Sequence, residues 1–79
     1  MDTKNIFASR VQELRKQKRL TQTELGDAIG LTQKAISTIE SGVRETTFGK
    51  LVLLAKFFQV STDYLLGITD DPTWRGDSG

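Results

Sequence analysis

Apolar side chains recur at helical spacing along most of this chain, and no proline intervenes before Pro72, so the pattern predicts an all-helical fold. Phe7, Val11 and Leu14 stand at i, i+4 and i+7 of a first helix, about residues 5–18. Arg15, Lys16, Lys18 and Arg19 crowd its end, where cations suit the helix dipole; a solvated terminus is the plainer reading and contact with a phosphate the sharper one. Thr21-Gln22-Thr23-Glu24 reads as a capping box that opens a second, short helix. Leu25, Ala28 and Ile29 make its stripe and Gly30 its stop. Gly26, inside that helix, is expected where a second helix crosses closely. Thr32 can cap a third helix, residues 33–41, with Ile36 and Ile39 inward, Gly42 as terminator and a polar outer face. Thr47 can cap a fourth, residues 48–58, whose core stripe is Phe48, Leu51, Leu54, Ala55 and Phe58. Ser61 can cap a fifth holding Tyr64, Leu65 and Leu66. Residues 68–79 are acidic, contain Pro72 and two glycines, and read as a tail outside the folded unit of residues 1–67.

Composition narrows the chemistry. Seventy-nine residues hold one domain, and 37% hydrophobic with 27% charged residues suits a compact soluble module with no apolar run long enough for a bilayer. The absence of Cys and His removes disulfides, thiolate nucleophiles, imidazole bases and the commonest metal ligands. With no Gly-rich phosphate loop and no spaced carboxylate pair, nothing is left to assign a catalytic role, a metal or a cofactor. The N-terminal residues lack the apolar stretch of a secretory signal, so the expected compartment is the cytoplasm. Net charge is only +1, yet residues 1–60 carry a net +4 and residues 61–79 a net −3. A basic body favours a polyanionic partner without identifying it.

Two short helices joined by a Gly-containing turn, the second with an uncommitted outer face, have helix-turn-helix geometry, and residues 22–41 fit it. Gly26 stands where the helices meet, Gly30 at the turn, and Leu25, Leu31, Ile36 and Ile39 at the apolar positions. Leu14-Arg15, Leu20-Thr21-Gln22 with Glu24-Leu25, Gly30, the run from Ile36 to Gly42, Leu54-Ala55, and Val60-Ser61 with Leu65-Leu66-Gly67 follow at matching intervals. On these features the chain resembles the Cro/C1-type helix-turn-helix regulators, the xenobiotic-response-element family, over residues 6–67.

The resemblance implies a compact five-helix, lambda-repressor-like domain that places its third helix in the DNA major groove. It assigns Thr32, Gln33, Lys34, Ser37 and Thr38 to the DNA face, where a Gln side chain can pair with adenine and a Lys with guanine. Standing alone, such a helix face would be read as merely solvated; the surrounding motif reverses that. Gln22 resembles the family's phosphate-anchoring glutamine, and Arg10 and Arg44 are further candidate phosphate contacts. Arg15 and Glu40 resemble a structural ion pair between the first and third helices.

The chain departs from the family at Thr46, where Pro is common, at Gln59, where Gly is usual, and at Gly49 inside the fourth helix. Leu53 and Phe57 form an apolar pair at positions usually polar or small. A second subunit covers them, through an interface with Tyr64 and Trp74, or Trp74 and Ile68 fold back over them, or a partner protein binds there. The expected function is a transcriptional regulator, most simply a repressor, that binds a palindromic operator as a homodimer with no small-molecule ligand. A protein-interaction module or an antitoxin built on the same fold is the alternative.

Overall fold

The computed structural model describes residues 3–44 and 46–73 and comprises five helices: α1 (Thr3–Gln17), α2 (Gln22–Ile29), α3 (Gln33–Ser41), α4 (Phe48–Phe58) and α5 (Thr62–Leu66). Four open on hydroxyl caps. Thr21, Thr32, Thr47 and Ser61 each accept a hydrogen bond from the amide three residues on, which satisfies a donor that the first turn would otherwise orphan. Around Thr21 the full capping box forms, with Glu24 returning to the Thr21 amide at 2.8 Å.

Gly30, Gly42 and Gly67 end α2, α3 and α5 in the left-handed region, but Gln59 does so for α4 and Arg19 follows α1 with φ 58°. The Arg19 amide donates to Lys16 O and the Leu20 amide to Arg15 O, the paired bonds of a Schellman turn built without glycine.

Phe7 and Val11 of α1, Leu25 of α2, Ile36 and Ile39 of α3, Leu51, Leu54, Ala55 and Phe58 of α4, Val60 and Leu65 share one core. Leu14, Ile29, Leu31, Phe57, Tyr64 and Leu66 pack around its edge.

Four sequence expectations change. Phe48 shares the face of Leu51 and Ala55, yet it is 87% exposed: as the first residue of α4 it overhangs the core, and periodicity cannot show where a helix outruns its neighbours. Ala28 is exposed, leaving Leu25 and Ile29 to carry the packing of α2. Gly26 is approached by the turn rather than by a crossing helix, since a Cβ there would lie 2.6 Å from Leu31 O and 3.2 Å from Thr32 O.

The fourth change concerns residues 68–73, which are tied into the fold instead of trailing from it. The Ile68 amide donates to Asp63 O at 2.9 Å, the Ser61 amide to Pro72 O at 3.2 Å, and Thr73 forms an antiparallel bridge with Val60. The folded unit therefore extends through Thr73, six residues past the expected boundary at Gly67.

Candidate nucleic-acid interface

The α2–turn–α3 unit presents its polar face because its apolar face is consumed. Ile36 and Ile39 point into the core, so the rows Gln33/Ser37 and Lys34/Thr38, each four residues apart, run along the other side of α3. Thr32, Gln33 and Lys34 are exposed, while Ser37 and Thr38 are half-buried. The Thr32 hydroxyl is engaged as the α3 cap, accepting from the Ala35 amide at 3.0 Å, which leaves its methyl group for contact.

A chain of polar side chains sets the position of this face. Gln33 Nε2 donates to Gln22 Oε1 at 2.6 Å, and Gln22 Nε2 donates to Glu40 Oε1 at 3.2 Å. Glu40 accepts from Arg15 through both oxygens, at 2.7 and 2.9 Å, and Arg15 Nη1 donates to Leu20 O at 2.8 Å. The Arg15 and Glu40 side chains are only 12% and 3% exposed. The hydrogen bond to Glu40 raises the Arg15 guanidinium above its ordinary ionisation range, against the opposing effect of burial. Arg15 thus remains a cation and holds α1, the α1–α2 turn, α2 and α3 in one register.

The bridge also orients Gln33. With one N–H given to Gln22, its amide keeps a second N–H and its carbonyl oxygen, the donor–acceptor pair that matches adenine N7 and N6. Sequence reading assigned Gln22 and Gln33 separate roles and missed their contact. Eleven residues and a turn separate them, so no helical repeat could have paired them.

Arg10 does not join this face. It lies five residues before Arg15, about 140° around the helix. Its guanidinium stands 4.1 Å from the centre of the Tyr64 ring and donates to Tyr64 O, to Thr69 O at 2.8 Å and to Asp70 Oδ1 at 2.7 Å. With 18% of its side chain exposed, it clasps α1 to α5 and the C-terminal segment rather than awaiting a phosphate. Arg44 is exposed just beyond the α3 terminator Gly42.

The apolar surface is likewise redistributed. Tyr64 is covered on one side by Arg10, and Phe57 is half-buried, edge-on to Phe58 at 5.1 Å with Lys18 Nζ 5.9 Å from its ring centre. Leu53 remains 41% exposed, with Val52, Phe48 and, in the loop before α4, Val43 exposed as well. Ile68 is itself exposed, and Trp74 lies outside the described residues.

Comparison with known proteins agrees with this geometry. The helix-turn-helix family pattern matches residues 11–65. The HTH-type transcriptional regulator YobD of Bacillus subtilis (strain 168) is 37% identical over 67 residues, which cover 85% of this chain and 60% of that protein. The control protein C.SmaI of Serratia marcescens is 35% identical over 66 residues, covering 84% of this chain and 79% of its own. Among solved structures, the P22 c2 repressor in complex with a synthetic operator superposes with a TM-score of 0.71 at 35% identity, over 76% of this chain and 91% of that one. The chain spans 60% and 53% of the length of YobD and of a second Bacillus subtilis regulator, YqaE. These relatives are named as regulators and a control protein, not as enzymes.

Proposed function

Because the chain belongs to the helix-turn-helix family, we propose that it is a cytoplasmic, sequence-specific transcriptional regulator that binds double-stranded DNA through α3, most simply as a repressor. The observation that carries this reading is the Gln33–Gln22–Glu40–Arg15 chain, which holds an exposed Gln with one N–H and its carbonyl oxygen left over, a donor and an acceptor of the kind adenine can pair with. The likeness to an operator-bound repressor supports it. Gln33 and Lys34 read base edges, Thr32, Ser37 and Thr38 fill the groove, and Gln22 and Arg44 contact phosphates.

One copy reads few base pairs, so we propose a homodimer on a palindromic operator. Half-sites lie about 34 Å apart along DNA. The Cα trace measures 29 × 25 × 22 Å, so two copies side by side, with their side chains, match that separation. Phe48, Val52 and Leu53, exposed together on α4, are the residues a second copy would cover.

Anisotropy selection from a randomised duplex pool tests the function. A palindromic winner is expected, with Gln33→Ala relaxing preference at one half-site position by about 1–3 kcal/mol. Gln22→Ala weakens binding to every sequence and, by releasing Gln33, also erodes that preference. A pool with no winner would sink sequence-specific reading and turn attention to the apolar α4 surface as a protein-docking site.

A further inference from the structure

The left-handed turn between α1 and α2 contains a side chain that the fold does not use. Arg19 takes φ 58°, a conformation that burdens any residue with a Cβ and that glycine adopts readily. It is exposed, and among the described residues its side chain has no hydrogen bond, ion pair or ring contact. Its neighbour Lys18 turns instead toward Phe57, and Lys16 supplies the carbonyl that accepts the Arg19 amide. A strained backbone holding an unrewarded cation calls for a reward from outside the molecule.

The turn is anchored on both sides. Arg15 accepts the Leu20 amide at its carbonyl and returns a guanidinium hydrogen bond to Leu20 O, while its other nitrogens grip Glu40, which also receives Gln22. Arg19 therefore stands at a set position two residues before the α2 cap Thr21 and three before Gln22.

We propose that Arg19 is a DNA phosphate contact, flanking Gln22 on the same backbone and contributing affinity without sequence preference. This rests on the DNA reading proposed above and deepens it. The predicted consequence is an opposition of sign: the glycine that relieves the backbone also removes the contact.

Full-length Arg19→Gly should melt about 4 °C higher than the parent. It should bind any duplex about fourfold more weakly near physiological salt, with the slope of log affinity against log salt shallower by about 0.9. Arg19→Lys should restore the slope without the thermal gain. The readout is anisotropy on one mixed-sequence duplex and one selected duplex across a salt series, beside thermal melts. Parent-like affinity and slope for Arg19→Gly, with the parent binding normally, overturns this proposal alone. A parent that binds no duplex overturns it together with the DNA reading. A loss confined to the selected duplex overturns it too, because a phosphate contact carries no sequence information.

Discussion

Glu40 shows how much of this molecule depends on a single carboxylate. It accepts two hydrogen bonds from Arg15 and one from Gln22, so truncating it strands a nearly buried guanidinium and releases Gln22 and, through it, Gln33. Glu40→Ala is expected to cost about 3 kcal/mol of stability, measured by urea unfolding, and to weaken binding beyond what reduced folding explains. From the arginine side this contribution is insensitive to pH near neutrality. A cation whose ionisation is raised on folding loses its stabilising effect only as pH climbs through that raised value, in strongly alkaline solution. The ion pair was legible in the sequence, but only through resemblance. Its extension to Gln22 and Gln33 was not, because side-chain contacts between helices depend on where the turn aims them.

At the scale of elements, local signals were the reliable ones. All four hydroxyl caps and the terminators Gly30 and Gly42 formed where the sequence placed them, since each involves residues within one turn. Packing was harder to anticipate, as two glycines illustrate. A Cβ at Gly49 meets nothing within 4 Å, whereas one at Gly26 meets a backbone carbonyl that cannot easily yield. Gly49→Ala should therefore stabilise the protein by about 0.5–1 kcal/mol, and Gly26→Ala should destabilise it by about 1–3 kcal/mol. Thermal melts of the two variants, each adding one methyl group inside a helix, will move in opposite directions if these surroundings are right.

For the whole molecule, hydrophobic periodicity identified the core except at Ala28 and Phe48, and the second exception bears on assembly. Phe48→Glu removes an exposed ring, so it should leave stability within about 0.5 kcal/mol while shifting sedimentation toward monomer at high micromolar concentration. A dimer unaffected by the change would move the interface elsewhere. The contacts that escaped sequence reading include those that tie down the C-terminal segment, Arg10 with Thr69 and Asp70, and Val60 with Thr73. Neither has a spacing signature, because each exists only after the helices have assembled.

The clasp built by Arg10 turns Thr73 into a surveying mark. Backbone pairing beside Val60 and the grip on residues 69–70 give that point a set bearing from α1, and through Arg15 and Glu40 from α3. A dye attached there would therefore report a distance rather than a wandering average. Energy transfer from it to either end of a labelled duplex would tell which way round the module sits on its site.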